Sequence, residues 1–344
     1  MQAVVKEEAR PGISVLDVPE PEPHAGELLI RVDTAGICGS DLHAYEWIPE
    51  YAWLERLLPV VLGHEVTGTV VRAGSDADGA AVPVGSRVAV RPAITCGSCP
   101  PCQRGESQRC VRRGRIGYEH PGGLAPLVVA PTGNAYPIPD HVDEETASLI
   151  EPLTVALHAV NRVHVRPGAT VGVVGAGAIG LLAIQVLRAH GAGDVVLLGT
   201  AADDAGGGFD IARRLGATAG VGGTAATDAY RSACEVVLVA AGARAAVTAA
   251  IDLVAPGGSV VVVGLGVGGV ECDIDQFVRR EVSLVGAFGS VAGDWLDALD
   301  LVSSGQVVGA GIVSHHYSLA QAPNAFEALV GGGARKICIH PNRA

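Results

Sequence analysis

Aromatic side chains are scarce in this chain of 344 residues: four Phe, six Tyr and three Trp, 4% in all, beside a single Met. Its core must therefore be assembled from Val, Ala, Leu and Ile, and any local concentration of rings stands out. Basic runs are lacking and the formal net charge is −12, which argues against nucleic acid or an anionic membrane as partner. No uninterrupted apolar run approaches the roughly 18 residues needed to span a bilayer. The richest stretch, 171–186, is broken by Gly172, Gly175, Gly177 and Gly180. The opening MQAVVKEEARPG has no basic segment followed by an apolar one, so no secretory signal is expected. With 49% hydrophobic residues the chain should fold, and its length suggests two domains. The expected setting is the cytoplasm, with reduced thiols.

Against that background the cysteines are concentrated. Four of the eight, Cys96, Cys99, Cys102 and Cys110, fall in the stretch CGSCPPCQRGESQRC. Two residues between cysteines let neighbouring thiolates of a turn point at one ion, and four thiolates complete a closed tetrahedral zinc shell. A closed shell leaves no open position for chemistry, so this zinc is expected to be structural. Two disulfides are the competing reading, disfavoured by a reducing compartment. Cys234, Cys272 and Cys338 lie outside these motifs and read as core cysteines.

Residues 1 to about 150 read as short strands, at 27–32, 66–71 and 87–90, separated by turn signals at 23–26 and 74–79. From about 155 to 285 continuous apolar strands, at 170–174, 195–198, 236–240 and 259–263, alternate with helices, which implies a parallel sheet covered on both faces. The last sixty or so residues suggest a helix at 295–303, a strand at 312–314, a helix at 319–329 and a strand at 336–340. The Gly-rich insert 201–208 reads as a loop.

The strand at 170–174 runs into Gly175-Ala176-Gly177-Ala178-Ile179-Gly180 and then a helix to about residue 190. This is G-x-G-x-x-G in a strand–turn–helix setting, the fingerprint of a dinucleotide site. Gly175 permits the turn, Gly177 lets a pyrophosphate approach, and Gly180 lets helix and strand pack, with the helix N-terminus facing the phosphates. An NAD site usually carries an acidic residue at the end of the second strand. Here that end is Gly199-Thr200, which tilts the expectation slightly toward NADP, although no Arg or Lys follows and Asp203 or Asp204 could swing back toward the ribose.

Three further segments carry metal-ligand residue types: Cys38-Gly39-Ser40-Asp41-Leu42-His43, His64-Glu65 and Glu151-Pro152-Leu153. Each alone has a dull explanation as a buried thiol, a core histidine or a surface charge. Together, GICGSDLH, LGHEVTG, the four-cysteine lobe, EPL and VGVVGAGAIG stand in the order found in the zinc-dependent medium-chain dehydrogenase/reductase superfamily, which the chain resembles over nearly its whole length. Glu151-Pro152-Leu153 is similar to the polyol and threonine dehydrogenase branch.

The resemblance implies an α/β fold: a GroES-like, β-rich catalytic domain over 1–150 and 286–344, with the zinc lobe at about 93–112, and a doubly wound Rossmann domain over 151–285. It implies a catalytic zinc held by Cys38, His64 and one or both of Glu65 and Glu151, with Asp41 orienting His64 from behind. Ser40 would take the alcohol proton and pass it, through the cofactor ribose, to His43. The implied reaction is hydride transfer between a secondary alcohol and NAD(P), with two zincs per chain. Two of the three Trp and two of the six Tyr fall in residues 45–53, and Tyr45 and Trp47 are the expected wall of the substrate pocket. The H-x-Y-x-W start resembles threonine dehydrogenases, but Ile48 stands where their pattern has Asp. A polyol, cyclitol, sugar or amino alcohol is therefore expected, with threonine 3-dehydrogenase-type oxidation as the alternative.

Two other classes compete. A non-catalytic NAD(P)-binding sensor would have lost Cys38, His64 or Ser40, and all are present. A zinc-independent enone reductase would lack the cysteine lobe. The apolar edge at 282–289 is a candidate for pairing with a second subunit, as a homodimer or homotetramer.

Overall fold

The computed structural model describes residues 1–76, 82–222, 224–266 and 268–343. The chain divides into two compact units: Met1–Glu151 with Val291–Ser304 and Val308–Ala344, and Pro152–Ser290 with Gly305–Val307.

The first unit is organised around the strand Glu27–Ile37, whose apolar residues are buried along nearly its full length. The sheet runs Ala135–Pro137, Arg87–Val90, Glu65–Ala73, Glu27–Ile37, Ile337–His340, His315–Ser318, and Leu127–Pro131 also pairs with the long strand. Leu28, Ile30, Val32, Val66, Val88 and Ile339 pack with Phe326 in its apolar core. Register matters more than composition here. Gly36 lies opposite Glu65 on one side and opposite Cys338 on the other, so segments far apart in sequence meet across a residue without a side chain.

Several elements differ from the sequence expectation. The strand expected at 312–314 lies instead at His315–Ser318, pairing in parallel with Ile337–His340. Ile312 and Val313 are buried without joining the ladder, so their apolar character marked core rather than strand. The helix expected at 319–329 begins as a 3-10 turn, Leu319–Gln321, and becomes α-helical over Ala322–Val330. Pro323 sits in its first turn, where a missing N–H costs little. Cys234 and Cys338 are buried, but Cys272 is exposed, lying between Glu271 and Asp273 just ahead of the helix Ile274–Arg280. Of the turn expected at 74–79, residues 77–79 lie outside the described residues.

The second unit holds six strands in the order Ala219–Gly222, Val195–Gly199, Val171–Val174, Cys234–Val239, Val254–Val262, Ser283–Gly286. Every pairing is parallel. Val171–Val174 is buried throughout, as a strand covered on both faces must be. In chain order the arrangement is 3-2-1-4-5-6, the doubly wound dinucleotide-binding topology. The insert expected as a loop at 201–208 is not one. Ala201–Ala205 is a short helix and a second begins at Gly208, because Thr200 and Asp203 cap the first reciprocally.

No helix among the described residues is long and apolar enough to cross a membrane.

Candidate metal and dinucleotide sites

The first metal cluster is assembled where the long strand ends. Cys38 follows Ile37 directly and caps the helix Gly39–Glu46, and its backbone N–H donates to Asp41 Oδ2 at 3.0 Å. His64 and Glu65 enter from the start of the neighbouring strand. Gly63 before them has φ +97°, and a Cβ there would fall 2.6 Å from the Leu124 side chain. Ligand atoms of Cys38, His64 and Glu65 all lie within 4.8 Å of one another. Asp41 is fully buried, and its Oδ1 faces His64 Nδ1 at 3.4 Å. The arrangement leaves Nε2, on the other side of the ring, to an ion, with Ser40 Oγ 3.3 Å from it.

The electrostatics suit a divalent cation. Burial by itself would lower the His64 pKa, but the charges of Asp41 and Cys38 outweigh it and hold the imidazole well above its ordinary value. Lys336, buried, likewise keeps a raised pKa: burial opposes the charge, and Glu65 and Cys38 more than compensate. In this state one ammonium and one proton answer three acidic groups. Lys336 Nζ donates to Glu65 Oε2 and, at 3.1 Å, to the Ile37 carbonyl. Nothing in its local sequence marked Lys336. Only the register across Gly36 brings it to Glu65, and a Cβ on Gly36 would fall 2.1 Å from Glu65 Oε2.

Glu151 opens the helix Ile150–Val160 and is not in the cluster of mutually close atoms. Its carboxyl is pushed up to about 7, first by burial and then by the charge of Glu65. His43, five residues after Cys38, sets its ring 5.6 Å from that of Tyr51, and its Nδ1 is buried without a hydrogen-bond partner.

Tyr45 and Trp47, expected as pocket walls, each have a packing partner in the first unit. Tyr45 stacks on Phe326 at 5.2 Å, and Trp47 lies under the buried Lys6 ammonium at 5.1 Å. Trp47 lies just past the end of the helix Gly39–Glu46, in the left-handed conformation with φ 56°. Tyr118 sets its ring 5.8 Å from that of His64, and Trp53 packs against Tyr118 at 5.5 Å, with Arg115 at 4.3 Å from Trp53. Tyr118 escaped notice because it stands alone in a loop, whereas the Tyr45–Trp53 stretch was conspicuous by density.

The second cluster is the cysteine lobe. Cys99 Sγ lies 3.4 Å from Cys102 Sγ and 3.8 Å from Cys110 Sγ, and Cys110 Sγ lies 3.5 Å from Cys96 Sγ. A tetrahedron with Zn–S bonds of about 2.3 Å has S···S edges of about 3.8 Å, whereas a disulfide requires about 2.05 Å. All eight cysteines are free thiols. Backbone N–H groups of Ser98 and Cys99 draw Cys96 down to about 5, while burial pushes Cys102 up to about 12. An ion would replace this uneven proton sharing by four thiolates.

In the second unit the three glycines of the fingerprint have three separate reasons. Gly175 has φ +108°, and a Cβ there would press on Ala241 at 3.0 Å. Gly177 caps the helix Ala178–Ala189 and faces open space. A Cβ on Gly180 would fall 1.9 Å from the Gly175 carbonyl oxygen. Ala176 is buried behind the turn, and Ala178 and Ile179 begin the helix, so its first N–H groups lie at the open side. At the neighbouring strand end, Thr200 donates to Asp203 Oδ2 through both its N–H, at 2.7 Å, and its hydroxyl, at 2.8 Å.

Residues 24–140 match the alcohol dehydrogenase GroES-like domain and residues 178–304 the zinc-binding dehydrogenase domain. The chain is 31% identical to an L-threonine 3-dehydrogenase of Deinococcus deserti over 98% of each chain. The chain belongs to the zinc-dependent medium-chain dehydrogenase superfamily. This dehydrogenase is also 31% identical to a sorbitol dehydrogenase of Halalkalibacterium halodurans over 99% of each chain. Among solved structures, a zinc-binding dehydrogenase of Sinorhizobium meliloti bound to NADP superposes with a TM-score of 0.88 at 32% identity over 99% of each chain. The dehydrogenase acts on secondary alcohols with NAD(P).

Proposed function

We propose that this dehydrogenase oxidises a secondary hydroxyl of a polyol, cyclitol, sugar or amino alcohol at a zinc held by Cys38, His64 and Glu65, and that a second zinc in the cysteine lobe is structural. The observation that carries the reading is the meeting of Cys38, His64 and Glu65 ligand atoms within 4.8 Å. One thiolate and one carboxylate neutralise a divalent ion and leave a position open, as in catalytic rather than structural zinc sites. When bound, zinc supplies polarisation of the alcohol oxygen and NAD(P) supplies the hydride acceptor.

The protein's own residues do the rest. Asp41 fixes the orientation of His64 through Nδ1. Lys336 holds Glu65 by one oxygen and so limits its swing. Ser40 Oγ, beside the metal face of His64, would accept the proton of the reacting hydroxyl while giving up its own through the cofactor ribose to His43, whose imidazole can release it to solvent. Glu151, whose carboxyl is raised to about 7 by burial and by the charge of Glu65, can change protonation near neutrality. Tyr118 and Trp53 supply an apolar wall beside His64, against which the C–H face of a polyol or ring can lie. Threonine oxidation remains the alternative substrate reading, carried by the Deinococcus relative. A reducing, cytoplasmic setting suits a chain whose cysteines bind zinc rather than pair as disulfides.

Replacing Cys38 with Ser should reduce turnover of a polyol panel to background and lower zinc from two to one per chain, with the circular dichroism spectrum unchanged. Retained activity with one zinc would refute the assignment.

A further inference from the structure

We propose that Asp203 makes this dinucleotide site select NAD over NADP. The inference rests on the glycine turn being the cofactor site. Val195–Gly199 lies in parallel register beside Val171–Val174, the strand that feeds that turn. Its end is where such a fold tests the 2′ position of the adenosine ribose. Gly199 and Thr200 carry no charge there, but Asp203 folds back over them. A Cβ added to Gly199 would lie 3.1 Å from Asp203 Oδ2. The same oxygen accepts the Thr200 N–H and hydroxyl, and the Asp203 N–H donates to Thr200 Oγ1 at 3.2 Å.

Two consequences follow from this closed ring of bonds. Both donors that Thr200 could offer a 2′-phosphate are consumed by a carboxylate. That carboxylate also puts a negative charge three residues later than the usual position but at the same corner, and Oδ1, outside these bonds, can accept from a ribose hydroxyl. A phosphate would need a cation to offset the charge. The basic pair Arg213-Arg214 stands at the last turn of the helix Gly208–Arg214, and Arg213 is held by Asp210 at 2.7 Å. An uncharged 2′-hydroxyl gains a hydrogen bond where a phosphate dianion meets repulsion.

Asp203 also caps a helix, so the test must separate charge from capping. Asp203→Asn keeps an acceptor oxygen for Thr200 and removes only the charge. Dissociation constants for NADH and NADPH, read from reduced-nicotinamide fluorescence on the full chain with its zinc, should favour NADH by about tenfold or more in the wild type. The substitution should narrow that ratio about tenfold, chiefly by tightening NADPH, and raising salt should narrow the wild-type ratio but not the variant's. A purely structural cap would move neither the ratio nor its salt dependence. NADPH bound as tightly as NADH by the wild type, or an unchanged ratio in Asp203→Asn, would overturn the inference while leaving the dinucleotide site standing. Failure of both dinucleotides to bind would overturn the site reading and the inference with it.

Discussion

A carboxylate buried beside a thiolate is unstable without positive charge, and Glu65 has Lys336 as well as room for an ion. The room depends on Gly36. A methyl there would fall 2.1 Å from Glu65 Oε2 and 3.1 Å from the Lys336 ammonium. Gly36→Ala should therefore displace the pair and weaken zinc at the Cys38 site by about 10- to 100-fold, the range typical of changes behind a metal ligand. Competition with a chromophoric chelator measures it. An unchanged affinity would mean that Glu65 does not bind the ion. The glycine was legible as part of GICGSDLH, but its purpose was not, because the atoms it accommodates come from residues 65 and 336.

Elements around the sites are held by specific caps and by the lobe. Asp143 caps the helix Glu144–Ser148, accepting from the Thr146 N–H at 2.8 Å and the Thr146 hydroxyl at 2.7 Å. Burial pushes its carboxyl up, but these bonds outweigh it and hold the pKa below the ordinary value. The cap's contribution is thus complete above the usual Asp range and fades as pH falls through the depressed folded value. Asp143→Ala should cost about 1 kcal/mol near neutrality, with the difference from wild type shrinking in urea titrations at acid pH. In the lobe, Cys99→Ser should release one zinc and lower the thermal midpoint by several degrees while the Cys38 ion stays. An unchanged melting curve would argue against a structural metal. The four-cysteine spacing was readable because all its ligands lie in one short segment. The 201–208 insert was misread because glycine content hid the Thr200–Asp203 cap.

For the whole molecule the exposed edge of the second unit carries the remaining expectation. Among the described residues Ser283–Gly286 pairs on one side only, with Val254–Val262, and Leu284 and Phe288 are about half exposed, at 53% and 50%. An apolar edge of this kind invites a second copy. Light scattering should give a mass of at least twice 34.8 kDa, and Leu284→Lys should shift the population toward monomer. A monomeric wild type would remove this edge as an interface.

The sequence by itself determined what depends on neighbours along the chain: the glycine fingerprint between strand and helix, the cysteine lobe, the alternation of apolar strands and helices, and the identity of Cys38, His64 and Glu65 as ligand types. Tertiary structure decided what depends on register and on side-chain direction. It brought Lys336 across Gly36 to Glu65, stacked Tyr45 on Phe326 and set Trp47 under Lys6, put Tyr118 against His64, set Glu151 outside the close cluster, and closed the Thr200 corner with Asp203. The physical reason is range. Backbone preferences and ligand spacing act over a few residues, whereas a buried charge finds its counterion, and a ring its stacking partner, only when strands distant in sequence are packed together.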